Sequence, residues 1–185
     1  ILDIAKKHSI EVVEDAAQAV SARYDEQLVG SLGIMGCFSL HPLKTLSACG
    51  DGGVITTNDE DIYRHLIKSR NHGLKSREEC EFWSYNSRFD TLHAAMTLVK
   101  LDYLEGWTEG RRANAAFYQE RLQDVVEVPI DRSCEYAVYH TFIIETDRRD
   151  ELKDYLQKRG IGTAIHYPIP VHLQESARDL GYEPG

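Results

Sequence analysis

The run FSLHPLKTLSACGDGG, residues 38–53, constrains the fold of this chain more than any other stretch. Two short apolar segments, CFSL and GGVITT, flank a run of small and polar residues that ends in a glycine cluster. Apolar runs bounded by Gly, Pro, Ser and Asp read as strands, with the cluster between them as a turn. One lysine, Lys44, sits in that turn with no amphipathic helix to place it on a solvated face. Residue types leave two readings open, an ordinary loop charge or a reacting amine.

The flanking pattern supplies the frame. ILDIAKKHS reads as a helix and IEVVEDA as a short strand centred on Ile10, Val12 and Val13. GSLGIMG is a loop, and Asn58 or Asp59 caps a helix over EDIYRHLIKSR. This order of helices and strands indicates an α/β layer of parallel character. Residues 71–89 are irregular and polar. From Asp90 a long helical pattern runs through TLHAAMTLVKLDYLEGWTEGRRANAAFYQERLQ, with an apolar stripe at Leu92, Ala95, Met96, Val99, Tyr103 and Leu104 and a bend expected at Gly106 and Trp107. Beyond it, VVEVP, YAVYHTFIIET and IGTAIHYP read as strands, and RRDELKDYLQKRG as a helix closed by Gly160. That β-β-α-β order suggests a smaller α+β unit.

Charge and cysteine usage narrow the function. The net charge of −9, with scattered basic residues, argues against a nucleic-acid or anionic-membrane partner. No apolar run approaches the ~18 residues of a membrane span. Four cysteines (Cys37, Cys49, Cys80 and Cys134) form no C-x-x-C pair and read as reduced thiols of a cytoplasmic protein. Cys37, His41 and Cys49 lack the second ligand pair a metal site needs, so no metal is expected. The chain starts at Ile1, inside a helical pattern, and reads as a piece of a longer protein.

Three residue types then stand out together. Asp15 follows a strand at the position where α/β folds expose ligand chemistry. Gln18 follows two alanines that would let a flat ring approach. Ser39 precedes Lys44 by five residues. Pyridoxal phosphate requires an amine for its aldehyde, a carboxylate for its ring nitrogen and donors for its phosphate. Asp15, Lys44 and Ser39 offer one of each, although many loops hold a lysine and a serine. GSLGIMG matches neither a dinucleotide fingerprint nor a P-loop, and no G-x-S-x-G elbow is present.

Taken in order, VVEDAAQAVSARYDEQLVGSLGIMGCFSLHPLKTLSACGDGGVITTND, RNHG, YNSRFDTLHAAM and IGTAIHYPIPVHLQ resemble the sugar-nucleotide aminotransferases of the DegT/DnrJ/StrS family. The resemblance implies a fold type I pyridoxal-phosphate transferase. Residues 1–106 would be the second half of the large, mainly parallel-sheet, cofactor-binding domain, and residues 107–185 an incomplete small α+β C-terminal domain. It implies that Lys44 holds the cofactor covalently and later shuttles a proton, while Asp15 keeps the ring nitrogen protonated. Ala17 would pack on the ring face, Gln18 pair with the ring hydroxyl and Ser39 bind the phosphate. Asn86 would reach the phosphate of a neighbouring subunit, so that a homodimer shares its sites.

Two positions depart from the family pattern: Ile34 where an acid is common after GSLG, and Thr45 where asparagine commonly follows the lysine. The family's dehydratases carry histidine in place of the lysine, so Lys44 favours transamination. NSRFD and HYPIPVHLQ are most similar to members acting on dTDP-3-keto-6-deoxyhexoses. The implied partners are therefore a nucleotide-linked keto sugar and glutamate, with a role in making deoxyaminosugars for surface polysaccharide such as lipopolysaccharide O-antigen. Arg88 would face the diphosphate, and His166 and Tyr167 the sugar; Arg88 could equally pair with Asp90, and His166 with Tyr167. A cofactor-binding regulator without catalysis, or an inactive fragment, are the other readings.

Overall fold

A computed structural model describes residues 1–183. The chain divides into two compact units, Ile1–Ile144 and Glu145–Gly185. In the first, helix α1 (Leu2–Lys7) leads to strand β1 (Val13–Asp15), the hairpin β2 (Arg23–Tyr24) and β3 (Gln27–Leu28), then β4 (Met35–Ser39) and β5 (Gly53–Thr56). Helices α2 (Glu60–Ser69) and α3 (Thr91–Leu122) and a short strand β6 (Glu135–Tyr136) follow. The second unit holds α4 (Arg149–Gln157) and two 3₁₀ turns, Val171–Leu173 and Glu175–Leu180.

The central sheet has the order β1-β4-β5, with β1 parallel to β4 and β4 antiparallel to β5. The register sets Asp15 beside Cys37 and Ser39 beside Gly53. Between β3 and β4 the chain wraps around Glu14. Its carboxylate accepts the backbone N–H groups of Gly30, Leu32 and Gly33, each at 2.7 Å. Gly30 has φ +90°, and a Cβ there would lie 2.2 Å from Phe38 Cζ, so both backbone and space require glycine. Asp59 caps α2 as expected, its Oδ1 accepting from the backbone N–H groups of Asp61 and Ile62 at 2.9 Å.

The core sits under the lysine turn. Leu40, Leu46 and Ala48 are buried together with Leu104 of α3, and Val20 and Phe89 pack on them. Helix α3 runs unbroken through Gly106 and Trp107 and buries Thr97, Leu104, Thr108 and Ala115. Most of the apolar stripe expected to face the core is therefore open in this chain: Leu92, Met96, Val99 and Tyr103 are exposed, and Leu104 alone of the stripe is buried. The face turned to the lysine turn is the one that this chain covers.

The strands expected after residue 124 form only in part. Within YAVYHTFIIET, Tyr136 joins Glu135 in β6 against β2, and Glu145 makes an isolated β-bridge. IGTAIHYP is not a strand among the described residues. A strand exists through the partner that takes its backbone N–H and C=O groups, and beyond β6 these segments make only isolated bridges, at Glu127 and Glu145, among the described residues. By contrast, β2 and β3 form a hairpin that the sequence reading did not anticipate. Asp25 and Glu26 turn it with φ of 45° and 62°. Gly160, with φ +75°, turns the chain after α4 as expected. No helix among the described residues is long and apolar enough to cross a membrane.

A polar clasp ties α3 to residues 129–139. Arg112 Nη1 donates to Asp131 Oδ2 at 2.8 Å and to the Ala137 carbonyl at 2.6 Å, and its guanidinium lies 4.0 Å from the centre of the Tyr136 ring. The Tyr139 hydroxyl donates to Asp131 Oδ1 at 2.6 Å and accepts from Gln119 Nε2 at 2.9 Å. Burial alone would raise the Asp131 carboxyl, but the hydrogen bonds from Tyr139, Arg112 and the Ala137 N–H outweigh it and hold the group below its ordinary range. A depressed native value stabilises the fold above the ordinary carboxylate pKa of about 4 and ceases to do so as pH falls through the native value. Asp131→Asn should accordingly lower stability by about 1–3 kcal/mol at neutral pH. Urea midpoints measured at falling pH should show that difference closing below the ordinary carboxylate pKa.

Candidate active site

Because β1 and β4 are parallel, their C-terminal ends open on one edge of the sheet. Asp15 closes β1 and Ser39 closes β4. Lys44 follows in the loop leaving β4, and β5 returns from the same edge at Gly53. Three of the residues singled out from the sequence thus share the sheet edge where α/β proteins mount ligand chemistry.

The lysine turn is rigidly specified. The Leu40 N–H donates to the Gly52 carbonyl at 2.8 Å and the Ala48 N–H to the Leu40 carbonyl at 2.7 Å, closing the loop at its base. His41 organises its tip: the His41 carbonyl accepts from the Lys44 N–H at 2.8 Å and His41 Nδ1 from the Leu43 N–H at 3.2 Å. The His41 N–H donates to Ser39 Oγ at 3.3 Å, which leaves the Ser39 hydroxyl hydrogen for a ligand. Thr45, Leu46 and Ala48 are buried, so the residues around Lys44 point inward and hold its backbone. Lys44 itself is half-buried, and no hydrogen bond or ion pair holds its ammonium among the described residues.

Beside it, Asp15 Oδ1 accepts the Ala17 N–H at 3.1 Å, and the Ala16 N–H donates to the Cys37 carbonyl at 2.9 Å. Oδ2 of Asp15 has no partner among the described residues. Ala17 is half-buried and Gln18 exposed. Gln18 lines a groove of about 340 Å³ whose far wall includes Asp131, Tyr139 and His140. A larger cleft of about 600 Å³, between α1 and residues 32–34, lies at the N-terminal ends of β1 and β4. It is at the opposite edge from Asp15 and Ser39, and chemistry outweighs volume in choosing between them.

The other residues singled out from the sequence divide in two. Asn86 bridges Asn71, and its Oδ1 accepts from Arg88 Nε at 2.9 Å, so Arg88 turns to Asn86 and makes no ion pair with Asp90 among the described residues. Both precede Phe89, whose ring abuts Gly52, while His93 abuts Gly50. His166 and Tyr167 lie in the second unit, exposed, with their rings stacked at 4.1 Å between centroids. Sequence reading passed over Glu14, Phe89, His93 and Lys100. Glu14 alone carried a local sign, an acid inside an apolar strand pattern. Among the described residues the donor set suits pyridoxal phosphate: an unpartnered half-buried amine, a carboxylate with an open oxygen, a free hydroxyl hydrogen and small residues between them. A Cβ on Gly52 would lie 2.5 Å from Phe89 Cε2. Gly52→Ala should therefore destabilise the turn by about 1–3 kcal/mol, read as a lowered urea midpoint.

Lys44, in the loop after β4, and Asp15, at the end of β1, thus share one edge of a mixed sheet. Comparison with known proteins gives the family: all residues from 1 to 185 match the model of the DegT/DnrJ/EryC1/StrS aminotransferase family, and the chain belongs to it. It is 42% identical to the pleiotropic regulatory protein of Geobacillus stearothermophilus, over 100% of this chain and 51% of that protein. It is 41% identical to the dTDP-3-amino-3,6-dideoxy-alpha-D-galactopyranose transaminase of Aneurinibacillus thermoaerophilus, over 94% and 48%. Among solved structures, S. venezuelae DesV superposes with a TM-score of 0.95 at 36% identity, over 100% of this chain and 50% of that one. The chain spans about half the length of the curated relatives it matches.

Proposed function

We propose that the protein carrying this chain is a pyridoxal-phosphate-dependent aminotransferase. It moves an amino group from glutamate to a nucleotide-linked keto sugar, of the dTDP-3-keto-6-deoxyhexose class, for deoxyaminosugar synthesis. The observation that carries this reading is the half-buried Lys44 amine, unpartnered among the described residues and mounted on the same sheet edge as Asp15. Names of relatives support the class: 38% identity joins this chain to the dTDP-3-amino-3,4,6-trideoxy-alpha-D-glucose transaminase of Streptomyces venezuelae. It shares 39% identity with the UDP-N-acetyl-3-dehydro-alpha-D-glucosamine 3-aminotransferase of Acidithiobacillus ferrooxidans.

When bound, the cofactor supplies an aldehyde for exchange of amines and a conjugated ring that accepts electrons. The chain's own residues do the rest. Lys44 Nζ would hold the cofactor covalently and, once freed, would carry the proton taken from the donor's α-carbon. The Asp15 carboxylate would face the ring nitrogen, and its charge would keep that nitrogen protonated. Ser39 Oγ would donate to the phosphate, Ala17 would leave room for the ring face, and the Gln18 amide would pair with the ring hydroxyl. In a cytoplasmic homodimer, Asn86 reaches the phosphate of the neighbouring subunit. The Arg88 nitrogens beyond Nε meet the sugar's diphosphate, and His166 and Tyr167 face the sugar. In this reading residues 1–106 belong to the cofactor-binding domain and residues 107–185 to the smaller one.

Lys44→Ala in the protein carrying this chain should remove the covalent cofactor absorbance and all turnover; retained turnover would sink the assignment. Asp15→Asn should still bind cofactor but lose about 10²–10³ in rate, measured with glutamate and the keto sugar; an unchanged rate would count against its role. A second reading is favoured by two names, the pleiotropic regulatory protein and the erythromycin biosynthesis sensory transduction protein EryC1, at 42% and 39% identity. Protein that holds cofactor yet converts it with no amino donor would support a regulator.

A further inference from the structure

A second lysine reaches the Lys44 turn from helix α3. Lys100 Nζ donates to the Ser47 carbonyl at 2.6 Å and to Ser47 Oγ at 3.2 Å, bridging 53 residues of chain. Its side chain is half-buried, and no carboxylate pairs with it among the described residues. An ammonium drawn out of water without a counter-charge is costly unless its protons are used. Here two of its three protons go to one residue of the loop.

The place of that residue gives the bond its meaning. Ser47 lies three residues after Lys44, between Leu46 and Ala48, whose side chains are in the core. Apolar burial holds the inward side of the loop but is non-directional, so it does not fix the rotation of the peptide groups. The Lys100 bond is directional and falls on a peptide carbonyl. His41 fixes the loop before Lys44, and Lys100 fixes it after.

The geometry points to Lys100 as a positioning residue for Lys44. It orients the Ser47 carbonyl and thereby the stretch of backbone from which the reacting amine projects. The inference rests on the reading of Lys44 as that amine. Lys100 touches neither cofactor nor substrate in this role; it acts through the loop.

The test uses cofactor-free protein carrying this chain. Pyridoxal phosphate is added, the rise of the imine absorbance is followed in time, and Lys44→Ala serves as the blank. Lys100→Met should slow the reaction by about tenfold or more, the scale on which misplacing a reacting group acts. Its urea midpoint, measured in parallel, corrects for any unfolded fraction. Lys100→Arg, which keeps charge and donors, should restore the rate to within about threefold of the parent. Ser47→Ala, which leaves the carbonyl in place, should stay within about twofold, since the hydroxyl bond is the longer one. A parent rate for Lys100→Met, or a slowing explained by unfolded protein alone, would overturn the inference. Equal slowing by Ser47→Ala would overturn it too, by moving the effect to the hydroxyl. If Lys44→Ala itself reacts like the parent, the reading of Lys44 fails instead, a result distinct from the others.

Discussion

The site depends on the burial of Leu40, Leu46 and Ala48 against Leu104 of α3. These side chains flank Lys44 on both sides, so the same contact that packs α3 on the sheet also sets the backbone of the lysine turn. Burying a leucine is worth about 1.5–3 kcal/mol, which far exceeds what a polar loop could gain from its own turns. Lys44 can therefore remain unpartnered among the described residues because its neighbours, rather than its own side chain, hold the loop. A free ammonium in a fixed turn is what amine chemistry needs: access without an ion pair, and a position that does not wander.

Around that anchor the polar contacts are arranged by edge. Glu14 shapes the loop entering β4 by accepting three backbone N–H groups, while the next residue, Asp15, keeps one carboxylate oxygen open at the strand end. Alternation along a strand explains the division, since neighbouring side chains point to opposite faces. One acid shapes the loop, and the other keeps an oxygen without a partner among the described residues. The clasp of Arg112, Asp131 and Tyr139 does for the far end of α3 what Leu104 does for the middle.

Much of the site edge was legible in the sequence. CFSL and GGVITT announced β4 and β5, and the acid ending VVED announced the close of β1, because strand signals and turn residues are local. Residue types drew out Lys44, Asp15 and Ser39, the resemblance of the motifs gave them roles, and the family match agrees with the resemblance itself. What was not legible is what distance in the chain hides. Lys100 and Ser47 are 53 residues apart, and nothing in either neighbourhood marks the bond. Likewise the alternation in YAVYHTFIIET and IGTAIHYP shows which residues could line a strand, but not whether a partner strand is there to pair. On α3 the pattern identified an apolar stripe, whereas the buried residues Thr97, Leu104, Thr108 and Ala115 follow the face that meets the lysine turn.

The central claim is that Lys44 is the reacting amine of this protein. Borohydride reduction of the cofactor-loaded protein, followed by peptide mapping, tests it most directly. The account predicts a single pyridoxyl group, carried by the peptide that contains Lys44. A pyridoxyl group on Lys100 or any other lysine, with Lys44 unmodified, would contradict it.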